Sequence, residues 1–273
     1  MKTGLKTAEI FAILPHMSEE LFFGRKTTIR SQRSLFKNHI EPYLCCVKQW
    51  DESALIGMVK TWEGNDLKPG TIRLLAAIFK RWVRINRGID IKAPRLTRSL
   101  QNHNQEPVKA WTKDQARTAL KTALETNRYL YDLMLIGLHT GMRPGEIFGL
   151  RGKDINLLNR KLSIVNTKTG KPRTVKMTLE VETVISNYIK PGKEGDFLFK
   201  GKVPNEALQT LCRCAKIPVL TFHGLRHTFA TLALESGWSP RDVAKVLGHN
   251  KVSTTLDYYW QAINDDLEVE FYE

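Results

Sequence analysis

The chain has 273 residues with 42 Lys and Arg against 28 Asp and Glu, a formal charge of +14. That length allows two domains with separate cores, and that charge is the footprint of a polyanion binder. No stretch reaches the ~18 apolar residues of a membrane span, and the N-terminal apolar run is interrupted by Glu9 and Pro15, which argues against a signal peptide and for a cytoplasmic protein with no membrane partner.

Residues 1–92 read as a helical unit. Helices are expected at 6–14 and 18–23, and a third from about residue 27, where Ile29, Phe36 and Ile40 share an apolar face and Arg30, Arg33 and Lys37 crowd the opposite one. Two more follow, ESALIGMVKTWEG and GTIRLLAAIFKRWVRINRG, the latter carrying Arg81, Arg84 and Arg87 before Gly88. One basic helix face is as often plain solvated surface. Several in one small unit point to contact with a DNA backbone. The adjacent Cys45 and Cys46 match neither zinc spacing nor a disulfide framework. Periodicity then disappears over 93–109, a basic linker holding two prolines, which would let two lobes close round a duplex.

The second domain, 110–260, opens with a capping box at Thr112 and Gln115 and a helix to about residue 126. The apolar run YLYDLMLIGLHTG delivers TGMRPGEIFGLR, in which Gly141 ends one helix and Pro144 begins the next. The alternating runs RKLSIVNT and PRTVKM, joined by KTGK, predict a β-hairpin with a basic tip of Lys168, Lys171 and Arg173. Helices at 179–189 and 205–215 look structural, and Cys212 and Cys214 are packed or idle thiols. The predicted fold is therefore mainly α with a small β-sheet in the second domain.

The stretch 222–259 carries the chemistry. In HGLRHTFATLALES, His223 and Arg226 are three apart and share one helix face. Gly237 stops that helix, Ser239-Pro240 with Asp242 starts the next, and its end near Gly248 leaves His249 at a terminus. A short helix over 253–260 would carry Tyr258 and Tyr259. A phosphodiester is an anion that repels nucleophiles, so cations against its non-bridging oxygens and a proton for its leaving oxygen are what Arg and His can supply. His223 and His227 have the i, i+4 spacing of a zinc pair, but Gly224 stands where a hydrolytic zinc helix needs Glu. Gly201-Lys202 is followed by Val203, which breaks a nucleotide-binding loop. Neither metal nor ATP is implied.

In this order HGLRH, LGH and a Tyr nine residues after the LGH histidine resemble the C-terminal half of the tyrosine recombinases, the phage-integrase family of site-specific DNA recombinases. TGMRPGEIFGL resembles the element that carries the family's first active-site arginine, and TKTGKPRTV its hairpin lysine. The resemblance implies a two-domain DNA clamp with catalytic Arg143, Lys168, His223, Arg226, His249 and the nucleophile Tyr258, and with Glu146 bracing the site. It also implies duplex DNA with specific recombination sites, a homotetramer on paired duplexes and no cofactor, and leaves open whether accessory bending or directionality factors are needed. Arg30, Arg33, Lys37, Arg81, Arg84, Lys171 and Arg173 are the expected DNA contacts. The role expected is that of a phage or mobile-element integrase. A dimer resolvase of the same family and a catalytically inactive DNA-binding protein are the alternatives. The acidic tail, 261–273, alternates Leu267, Val269 and Phe271 with polar residues, the pattern of an edge strand that docks on a neighbouring protomer.

Overall fold

The computed structural model describes residues 21–44, 49–92, 94, 109–165 and 172–249. The helices expected at 6–14 and 253–260, the hairpin turn, the tail and nearly all of the linker lie outside these residues, as do Cys45 and Cys46. The chain divides into two units, Met1–Asn104 and Gln105–Glu273.

The first unit is helical among the described residues: α1 Lys26–His39, α2 Glu41–Leu44, α3 Glu52–Gly64 and α4 Pro69–Arg87. The basic segment anticipated as one helix is two, because Ile40 leaves helical geometry at φ −116° and Pro42, lacking an N–H, is tolerated only in the first turn of a new helix. The indole Nε1 of Trp62 donates to the His39 carbonyl at 3.0 Å, near the break. Helix α3 starts on Asp51, whose carboxylate accepts from the Ala54 N–H at 3.0 Å, and α4 ends on left-handed Gly88. Phe36, Ile40, Leu55, Trp62, Ile72, Leu75 and Phe79 fill the core between them. Each such side chain contributes about 1.5–3 kcal/mol by leaving water.

The second unit comprises α5 Lys113–Thr126, α6 Arg128–Thr140, α7 Pro144–Ile147, strands β1 Ile155–Asn156, β2 Lys161–Ile164 and β3 Arg173–Lys176, then α8 Leu179–Ser186, α9 Asn205–Cys214, α10 Phe222–Glu235 and α11 Pro240–Leu247. The expected capping box starts α5, with Thr112 and Gln115 bonding each other's main chain. Helix α6 is apolar on nearly every side because it is buried on nearly every side. It lies close against α10, since a Cβ on Gly137 would stand 3.3 Å from Leu225. That approach sets the end of α6 beside the turn of α10 that bears Arg226.

The sheet is antiparallel in the order β1-β2-β3, with Leu162 opposite Val175 and Ile164 opposite Arg173. Leu162, Ile164 and Val175 point into the core while their neighbours are exposed. The two longer strands are the predicted hairpin; β1 was not anticipated, because two residues carry no periodicity. Among the described residues no helix is long and apolar enough to cross a membrane.

Candidate active site

The TGMRPGE element is shaped by its glycine. Gly141 ends α6 at φ 61°, and a Cβ there would lie 2.5 Å from Phe229 and 2.8 Å from Leu247. Conformation and space both require glycine. The chain then turns into α7, with Arg143 in extended geometry before Pro144 and Glu146 in the first turn. The Glu146 carboxylate accepts from the Arg143 N–H at 2.8 Å and from Arg143 Nη1 at 3.0 Å. Glu146 thus caps the short helix and aims the arginine that precedes it.

Arg226 is 2% exposed. Its Nη1 donates to the Gly141 carbonyl at 3.0 Å and its Nη2 to the Leu247 carbonyl at 2.7 Å. One guanidinium therefore ties together two chain segments, two residues before Arg143 and two before His249. Helix α11 starts on Ser239, whose hydroxyl accepts from the Asp242 N–H at 3.1 Å, and ends on left-handed Gly248. The His249 N–H then bonds back to the Ala244 carbonyl at 3.0 Å, the wrap of a Schellman-type helix end. His223 is exposed in the first turn of α10, with its ring edge-to-face against His227 at 4.9 Å.

Burial and positive charge shape the titration. His249 is pushed down to about 4, first by burial and then by Arg226, Arg143, His227 and Arg173. His227 is also pushed down to about 4, by burial and then by His223 and Arg226. Both are neutral near pH ~7 in the protein without DNA, so His249 can accept or donate one hydrogen bond. Burial alone would raise Glu146, but the bonds from Arg173 and Arg143 outweigh it and hold the carboxylate below its ordinary range.

Arg143, Glu146, Arg226 and His249 are thus brought together, with His223 one turn before Arg226. Lys168, Lys171 and Tyr258 lie outside the described residues. Arg30, Arg33, Lys37 and Arg84 are exposed on the first unit. Two expected DNA contacts have partners within the protein. Arg173 does not stand on an exposed tip: its Nη1 and Nη2 donate to the two Glu146 oxygens at 2.8 and 2.6 Å and its Nε to the Val246 carbonyl at 2.8 Å. Arg81 donates to the Leu21 carbonyl at 3.0 Å and lies 3.7 Å over the Phe23 ring, which commits it to holding the start of the first unit. The signal for Arg173 was in the hairpin: it is two residues before buried Val175, on the inward face.

Two braced guanidiniums and a neutral histidine, drawn from a turn, a helix and a helix end, thus lie together in a chain with an exposed basic helical unit. Such a combination suits the phosphodiesters of nucleic acid. Residues 109–264 match the Phage integrase family. Over 212 residues the chain is 33% identical to tyrosine recombinase XerA of Saccharolobus solfataricus, covering 77% of this chain and 69% of that protein. It is 33% identical over 149 residues to TnP I resolvase of Bacillus thuringiensis, covering 51% of this chain and 52% of the resolvase. In fold it is similar to a Tn1549 transposon integrase in complex with circular intermediate DNA, with a TM-score of 0.69 and 21% identity, over 92% of this chain and 94% of that one. The chain belongs to the phage integrase family, as a tyrosine-type site-specific DNA recombinase.

Proposed function

We propose that this chain cuts and rejoins duplex DNA through Tyr258, as the integrase of a phage or other mobile element. The observation that carries the reading is the Arg226 bridge, which holds the Arg143 turn and the approach to His249 in one cluster. The Tyr258 phenol oxygen attacks the scissile phosphorus, and the bond from phosphorus to the 5′ oxygen breaks. The phenol proton passes to His223, and Lys168 protonates the departing 5′ oxygen. Arg143 and Arg226 hold the non-bridging oxygens as charge builds on them, and His249 hydrogen-bonds the phosphate. The 3′-phosphotyrosine retains the energy of the broken bond, so a 5′-hydroxyl from a second duplex reverses the step without ATP.

The helical unit of 1–92 and the catalytic domain of 110–260, joined by the 93–109 linker, close round one duplex. Four copies act on two paired sites, with each 261–273 tail docked on a neighbour. The solved relatives bound to DNA support a DNA partner. A second reading, resolution of chromosome or plasmid dimers, is favoured by the likeness to a resolvase; it differs in sites and partners but not in chemistry.

The test uses a suicide duplex selected by wild-type binding from a randomised pool. Wild type should form a covalent protein–DNA adduct without metal or ATP, and Tyr258→Phe, but not Tyr259→Phe, should abolish it. Binding without adduct under every condition would leave only the DNA-binding function.

A further inference from the structure

Arg173 is 9% exposed at its side chain and all three of its guanidinium nitrogens are engaged. Two of them form a parallel fork on Glu146, the carboxylate that also takes the main-chain N–H and the Nη1 of Arg143. The third bonds the Val246 carbonyl, one residue before the carbonyl that Arg226 holds. The LGH glycine is fitted to this side chain. A Cβ on Gly248 would stand 3.0 Å from Arg173 Cδ and 3.2 Å from its Nη1, at a residue whose φ of 68° already favours glycine.

We infer that Arg173 is a positioning residue for strand cleavage: it fixes Glu146, and through Glu146 the phosphate-binding Arg143, to the end of α11 from which His249 projects. Arg226 and Arg173 are then two straps across the same pair of segments, one from helix α10 and one from the root of the hairpin. Arg226 reaches carbonyls on both sides. Arg173 reaches a carbonyl on one side and a carboxylate on the other, so it shares with Arg143 the neutralisation of the buried Glu146 charge. Because residue 173 begins β3, the same contact fixes the hairpin strand to the arginine site. A loss of placement of about 1 Å at Arg143 is enough to cost ~100-fold in rate.

The inference rests on the recombinase reading, and its test separates the two. Single-turnover cleavage of the selected suicide duplex at saturating protein, and the salt dependence of binding to it, are measured for wild type, Arg173→Gln, Arg173→Lys, Glu146→Gln and the Glu146→Gln/Arg173→Gln double variant, each checked for folding by thermal melting. Arg173→Gln should cleave ~100-fold more slowly with affinity and salt slope unchanged. Arg173→Lys should recover part of that loss, since it keeps the charge but not the fork. The double variant should be little worse than Glu146→Gln alone, because the contact with Glu146 through which Arg173 acts is already lost in that variant. A fall in affinity with a salt slope shallower by about 1, and cleavage unchanged at saturation, would make Arg173 a phosphate contact and overturn the inference. A lowered melting temperature with a normal cleavage rate for the folded protein would also overturn it. If wild type itself forms no adduct, the recombinase reading fails and the inference falls with it.

Discussion

The two arginines proposed to hold the phosphate rest on different chemistry. Arg226 lies in the second turn of α10 and is braced by two main-chain carbonyls, Gly141 and Leu247. Arg143 sits at a turn, its side chain 20% exposed, and is braced by the Glu146 carboxylate. A carbonyl brace is part of the scaffold: it does not titrate and moves only if the backbone moves. A carboxylate brace is strong only while it is ionised and itself held in place. Arg226 therefore acts as the fixed reference of the site, and Arg143 as the member whose aim depends on its surroundings.

The strongest way to break this contrast is to replace the arginines in turn. Arg226→Lys puts one ammonium where a fork joined two carbonyls, so single-turnover cleavage should fall on the order of 1000-fold with DNA affinity little changed. Arg143→Lys keeps its charge next to Glu146 and should lose less. Equal losses would mean that the two braces are equivalent. Next in size, Gly141→Ala should destabilise the second unit by about 2–4 kcal/mol, read from urea unfolding, because the new methyl meets Phe229 and Leu247 at a left-handed residue. Tolerance of alanine there would mean that the turn has more room than its geometry shows.

Acid should separate the braces further. The histidines His227 and His249 are depressed from 6.5 to about 4, so their contribution is present above pH 6.5 and is lost as pH falls toward 4. Glu146 is also depressed, so its contribution is lost later, as pH falls below its ordinary 4.5 through its lower folded value. Urea midpoints taken between about pH 7 and about pH 3 should decline in that order, and Glu146→Gln should flatten only the lower part. The smallest expected effect is on the first unit, where Arg30→Gln should weaken DNA binding modestly and reduce the salt slope by about 1, with cleavage at saturation unchanged.

Much of the site was legible because its residues serve local structure as well as chemistry. Gly141 and Gly248 end helices, Pro144 and Pro240 begin them, and these punctuation marks placed Arg143 and His249 at helix ends without any knowledge of their neighbours. Partnerships across the fold were not legible. Arg173 read as a basic hairpin tip, although its place two residues before Val175 put it on the inward face; an inward arginine requires a carboxylate, and Glu146 is 27 residues away in sequence. Arg81 read as part of a basic stripe, but its contacts with Leu21 and Phe23 depend on tertiary structure. Strand β1 was invisible because two residues cannot show a period, and it exists through its pairing of Ile155 with Leu162. Local rules predict what a residue's neighbours in sequence decide, such as the Glu146 brace three residues from Arg143; the Arg226 and Arg173 straps are decided elsewhere.

The most direct measurement is a structure of the Tyr258→Phe variant bound to its selected duplex with the scissile bond intact. The account predicts one phosphate within hydrogen-bonding distance of Arg143, Arg226 and His249, with Arg226 still joined to the Gly141 and Leu247 carbonyls and Glu146 still holding Arg143. A phosphate held by only one of the arginines, or DNA bound with the cluster empty, would contradict it.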